Sequence, residues 1–207
     1  MRILLALISL FFTSSTALAA TVSSASNAST FEKKSIGIPA NWKTYRTTDP
    51  RWSIQYPRGW KPGTTAEIES LGIQIDGFLR GYYSIEMYAP RIIITQEKLK
   101  GTVSSQEFSN ASRRSVQSLR DYKLLGLEAI TTQDGEHPLH IFTAKSDDSN
   151  FPSEYFYQVY AVIDDTGFVV TAAIPNKSFS KVLDATVRKI LSSIYFRSLN
   201  SVKTNGK

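Results

Sequence analysis

The run EYFYQVYAVIDDTGFVVTAAI, Glu154 to Ile174, constrains the fold more than any other part of the chain. Two β-rich stretches, Tyr155–Ile163 and Phe168–Ile174, are joined through Asp164-Asp165-Thr166-Gly167. A glycine in that place can take the positive φ that a short hairpin loop needs. The adjacent Asp164-Asp165 pair is explained by turn chemistry rather than by paired catalytic carboxylates. Further strands are expected at Trp42–Tyr45, Trp52–Tyr56, Leu71–Phe78, Tyr82–Tyr88, Ile92–Thr95, Tyr122–Thr132 and Leu139–Ala144, several of them alternating as half-buried strands do.

Two segments carry the helical period instead. Residues 104–121 open with the capping-box pattern Ser104-x-x-Glu107, and Phe108, Ala111, Ser115, Val116 and Leu119 form one stripe. The second helix is expected to begin near Asn176 or Ser178, after Pro175, with Phe179, Val182, Leu183, Val187, Ile190, Leu191 and Ile194 recurring at three- and four-residue steps. Each helix has a single apolar stripe, so each belongs on a sheet face. The fold class is α+β: an antiparallel β-sheet covered by α-helices, an α/β/α sandwich.

The chain of 207 residues favours one domain, and its 42% hydrophobic and 20% charged content favours a packed core. Arg2, the apolar run ILLALISLFF and the Ala17-Leu18-Ala19 site read as a secretory signal peptide cleaved after Ala19. The expected organisation is therefore a signal peptide at 1–19, a Ser/Ala/Thr-rich leader at 20–38, a folded domain at 39–197 and a tail at 198–207. The implied destination is the periplasm, a thylakoid lumen or the exterior. With no cysteine, the chain forms no disulfide, offers no thiol nucleophile and cannot be a Cys-anchored lipoprotein.

Three pieces of sequence resemble the PsbP-like family, whose named members are extrinsic subunits of photosystem II. DPRWSIQYPRGWK resembles the family's opening strand and turn, through Trp52, Ile54, Tyr56, Pro57, Gly59 and Trp60. GFVVTAAIP resembles its hairpin strand, and VLDATVRKILSSIYF its closing helix, with Tyr195-Phe196 as the aromatic finish. The resemblance spans residues 40–197 and implies a helix-covered antiparallel sheet in a non-catalytic protein that docks onto, or helps assemble, a membrane-associated complex. For a photosynthetic source it implies photosystem II and help in retaining calcium and chloride. No family metal-ligand set is recognisable here.

The residues themselves offer little reactive chemistry. No G-x-S-x-G, Walker, G-x-G-x-x-G or H-E-x-x-H motif occurs. His137 and His140, with Asp134 or Glu136, are the candidate transition-metal ligands, although strand spacing does not point both rings one way. Asp147, Asp148, Asn150 and Glu154 form an oxygen-rich loop that could hold Ca2+, without EF-hand spacing; a solvated loop is the plainer reading. The net charge of +6 favours acidic partners. Arg113, Arg114 and Arg120 share the outer side of the first helix, with Lys98 and Lys100 before it, and Lys181, Arg188 and Lys189 lie on the outer side of the last. They are candidates for docking onto an acidic protein surface or an anionic membrane, against the plainer reading of solvated helix faces. Nucleic acid is disfavoured for an exported chain. Arg58 and Trp60, at the Pro57 turn, are candidate contacts if Trp60 does not belong to the core. A small-ligand or Ca2+-binding periplasmic protein is the alternative function, and a small exported hydrolase a weaker one.

Overall fold

A computed structural model of the chain describes residues 37–47, 52–70, 75–82, 84, 88–145 and 152–198. Its strands are β1 (Lys43–Arg46), β2 (Trp52–Tyr56), β3 (Lys61–Pro62), β4 (Gly77–Arg80), β5 (Arg91–Lys98), β6 (Lys123–Thr131), β7 (Glu136–Ala144), β8 (Glu154–Ile163), β9 (Thr166–Pro175) and β10 (Tyr195–Phe196). The helices are α1 (Thr65–Ser70), α2 (Ser105–Val116) and α3 (Lys181–Ser192), with a 3-10 turn at Asn176–Ser178. Seven strands form an antiparallel sheet in the order β3-β4-β5-β9-β8-β7-β6, and β1-β2-β10 form a smaller one. The β8–β9 hairpin lies at the centre of the large sheet, where both faces are covered.

Alternation along these strands sends one set of side chains to each face. Ile92, Ile94, Tyr157, Val159, Phe168, Val170, Ala172 and Ile174 join Trp52, Ile54 and Tyr56 of the small sheet and Val187, Ile190 and Leu191 of α3 in one continuous core. The opposite face packs under α2 in two separate clusters, one around Phe142, Phe156 and Val116, the other around Phe108, Tyr160 and Val169. The expected sandwich is present, with the small sheet sharing one layer with α3.

Several local expectations are corrected. The hairpin turn is only Asp164-Asp165, and Asp164, not Gly167, takes the positive φ, at 56°. Gly167 lies within β9, where a Cβ would meet the Phe108 ring at 2.7 Å. The glycine lets α2 approach the sheet. The capping box at Ser104 and Glu107 forms with both reciprocal bonds, but α2 ends at Val116 and residues 117–121 turn back toward β6. The buried side of α2 is Phe108, Ser109, Ser112 and Val116, so the stripe is rotated away from Ala111 and Ser115. Ser180, rather than Asn176 or Ser178, caps α3, and Val182 of the expected stripe is 78% exposed. Tyr195-Phe196 does not finish the helix; it forms β10, pairing with Ser53 and Trp52 of β2. At the opening motif the amide of Trp60 donates to the Pro57 carbonyl at 2.9 Å, which closes the turn over Pro57–Trp60. Residues 71–74, 83 and 85–87 of the expected strands lie outside the described residues.

Candidate docking surface

β6 is one edge of the large sheet, and among the described residues it pairs with β7 alone. Leu124, Leu125 and Leu127 are 46%, 45% and 50% exposed. The register passes from Leu124 opposite Phe142 to Gly126 opposite Ile141, which leaves Leu125 as the extra residue of a bulge. Cross-strand partners share a face. Leu127 opposes His140 and Leu124 opposes Phe142, so both leucines lie on the α2 side of the sheet. An unpaired edge strand presents free backbone donors and acceptors, and here apolar side chains flank them.

Beneath α2, inward of this edge, lies a buried polar seam. His140, Gln158 and Thr171 stand side by side across β7, β8 and β9. The Tyr160 hydroxyl donates to Gln158 Oε1 at 2.7 Å, and Gln158 Nε2 donates to Thr171 Oγ1 at 3.2 Å. His140 Nδ1 is 3.5 Å from the Tyr160 oxygen and Nε2 is 3.0 Å from the Tyr122 hydroxyl. One arrangement of protons satisfies every group: Tyr122 donates to Nε2, Nδ1–H donates to Tyr160, and the chain continues through Gln158 to Thr171. This requires a neutral imidazole. Burial, with the Arg113 guanidinium adding to it, pushes the His140 pKa down to about 4. Burial also pushes the Tyr160 and Tyr122 hydroxyls up, and Arg113 opposes that in both. The buried side of α2 above this face includes two serines, Ser109 and Ser112.

The candidate basic residues do not form one surface, because α2 and α3 cover opposite faces of the sheet. On α2, Arg114 is exposed and Arg113 half-buried, while Arg120 lies past the helix end in the exposed turn leading to β6. On α3, Lys181 is exposed and Lys189 half-buried, but Arg188 bonds Glu128 at 2.8 Å and Asp184 at 3.3 Å. Glu128 is the chief cause of its raised pKa. Lys98 pairs with Asp165. Trp60 is 6% exposed, within the core that also holds Trp52, so its contact role is replaced by packing. Its ring would meet a Cβ on Gly81 at 2.9 Å. Arg58 remains exposed at the turn.

The metal candidates separate as well. His137 and His140 lie on opposite faces of β7: His137 packs on Phe196 and bonds Asp134 at 3.1 Å, while His140 belongs to the seam under α2. The two rings cannot converge on one ion. Glu154 is buried, and Arg91 takes its carboxylate bidentately, at 2.6 Å to each oxygen. Asp147, Asp148 and Asn150 lie outside the described residues. No group of three or more His, Cys, Asp or Glu able to hold a metal occurs among the described residues. The edge leucines and the seam were not singled out in the sequence. The available signal was the irregular KLLGL, whose leucines break period-two alternation.

No protein-family model and no curated protein matches this chain. Solved structures do. The cyanobacterial PsbP protein CyanoP of Synechocystis sp. PCC 6803 aligns with a TM-score of 0.51 at 13% identity, over 81% of this chain and 98% of that one. The fold is PsbP-like. LpqN, described as involved in cell envelope biogenesis of Mycobacterium tuberculosis, aligns with a TM-score of 0.54 at 13% identity, over 74% of this chain and 88% of its own. The Saccharomyces cerevisiae Ran-binding protein Mog1p aligns with a TM-score of 0.50 at 11% identity, over 77% and 97%. At such identities the likeness concerns the architecture.

Proposed function

We propose that this chain is an exported, non-catalytic accessory protein that docks onto a partner protein by strand addition at β6. The exposed leucines on β6, which among the described residues pairs with β7 alone, are the observation that carries the reading. Main-chain hydrogen bonds would supply affinity, and the bulge at Leu125 would fix the register. Lys123, the first residue of β6, and Arg120 in the turn before it favour an acidic, partly apolar partner segment. The PsbP-like neighbours support a binding role: one is named a PsbP protein and another a Ran-binding protein. In a photosynthetic source the favoured partner is photosystem II; elsewhere it is another membrane-associated complex.

The test is affinity capture from membrane extract, with a photo-crosslinking residue at Leu127 in one sample and Leu127→Asp in another. A crosslinked partner that the Asp variant fails to retain, and that weakens as salt is raised, supports the reading. Equal recovery by both proteins, or no crosslink at position 127, removes it.

A further inference from the structure

A second surface lies on the other side of the molecule, away from the α2 face. The outer side of α3 and the residue just before β1 enclose a shallow recess of about 390 Å³, lined by Trp42, Lys181, Val182, Ala185, Thr186 and Lys189. Its lining is largely apolar: Trp42, partly buried against the core, with the exposed Val182 and Ala185. The lysines stand eight residues apart on one helix, about 12 Å along its axis. Among the described residues no carboxylate lines the recess. Asp184 of α3 faces Tyr157 and Arg188, and Glu128 is held by the same arginine. Lys43, next to Trp42, is exposed and adds to the positive field.

An amphipathic aromatic ring, a protruding aliphatic side chain and surrounding lysines match the interfacial zone of a bilayer. There, indole rings settle at headgroup depth and each lysine gains from anionic lipid. We infer that the Trp42–α3 recess is a membrane-surface site, seating the headgroup of an anionic phospholipid between Lys181 and Lys189 while Val182 and Trp42 enter the interface. The site is independent of β6. A protein using both would rest on the bilayer with one face while its sheet edge engages a protein.

The position of Trp42 supplies a direct readout. Of the three tryptophans, Trp52 and Trp60 are buried and Trp42 is half-exposed, so a binding-induced emission change reports Trp42. The experiment uses the predicted exported form, from Ala20 onward, with vesicles of phosphatidylglycerol mixed into phosphatidylcholine and with pure phosphatidylcholine vesicles. The expected result is co-sedimentation and a blue shift with the anionic vesicles only, both weakening as salt is raised. Lys181→Glu with Lys189→Glu should lower the vesicle affinity about tenfold or more, and Val182→Asp should also weaken it. Circular dichroism should confirm that these surface variants fold. Trp42→Phe should remove the emission change while the protein still sediments. Leu127→Asp should bind vesicles like wild type, which separates this inference from the β6 reading. Absence of anionic-vesicle binding at low salt, equal binding to phosphatidylcholine, or insensitivity to the α3 substitutions overturns it. So does a Trp42 blue shift with an acidic apolar peptide but not with vesicles.

Discussion

The two faces of the large sheet are built on different terms. Under α3 and the small sheet the core is continuous and apolar, running from Trp52 and Ile54 through Ile92, Val159 and Phe168 to Ile190 and Phe196. Under α2 it is divided into two clusters, with His140, Gln158 and Thr171 across the middle of the sheet and Ser109 and Ser112 above. The first face stabilises by area removed from water and tolerates modest reshaping. The second depends on a chain of hydrogen bonds in which each group satisfies the next, so one loss orphans a buried neighbour. The apolar face therefore supplies bulk stability, and the seam specifies how α2 sits.

The comparison can be broken most forcefully at Trp52. Its ring is buried in the apolar core and its indole N–H donates to Asp76. Trp52→Ala should cost about 3–5 kcal/mol in denaturant unfolding. A loss below about 1 kcal/mol would mean that the α3 face is not the dominant core. On the α2 side, Gly167→Ala forces Phe108 out of its contact and should cost about 1–3 kcal/mol as overpacking. A neutral result would show that α2 is loosely seated. Gln158→Leu leaves the Tyr160 donor and Thr171 without their partner, again about 1–3 kcal/mol despite the gain in apolar surface. A stabilised variant would show the seam to be dispensable.

A pH titration sharpens the same contrast. Burial depresses the folded pKa of His140 to about 4 from its ordinary 6.5, so between those values the unfolded chain holds a proton that the native state does not. Stability should be fully present above about pH 6.5 and decline as pH falls toward 4, with unfolding linked to an uptake of about one proton. His140→Gln should flatten that part of the profile relative to wild type. Identical slopes would remove His140 from the network. The smallest effect belongs to the sheet edge. Leu127→Asp should change stability by only about 0.5 kcal/mol or less, since the residue is half exposed, while abolishing partner capture. A large loss of stability there would make Leu127 a core residue and not a contact.

What the sequence made legible was what local chemistry decides. The β8–β9 hairpin, the Ser104–Glu107 box and the α3 stripe from Leu183 to Leu191 each depend on residues within a few positions of one another. The failures are non-local. Gly167 was read as a turn residue because its use, admitting Phe108 from a helix 59 residues earlier, is visible only once the layers stack. The expected α2 stripe runs through Ala111 and Ser115, but the helix buries Ser109 and Ser112 instead, against a sheet that is polar at its centre. Tyr195-Phe196 continued a helical pattern, yet strand pairing with β2 prevailed. The docking candidates were grouped by charge on each helix. Whether a strand is an edge, or whether two helices share a face, depends on sheet order, which sequence alone does not state.

The pairing of β10 with β2 also bears on how the molecule is made. Phe196 lies opposite Trp52, and just before it the Ser193 hydroxyl accepts from the Gln55 amide at 2.8 Å and lies 3.1 Å from the Gln55 carbonyl. The first tryptophan-bearing strand of the core thus completes its sheet with a partner 144 positions further along the chain. Closing so long a loop carries an entropic cost and raises the contact order, which slows folding. Such a chain cannot complete its small sheet until β10 is in place beside β2.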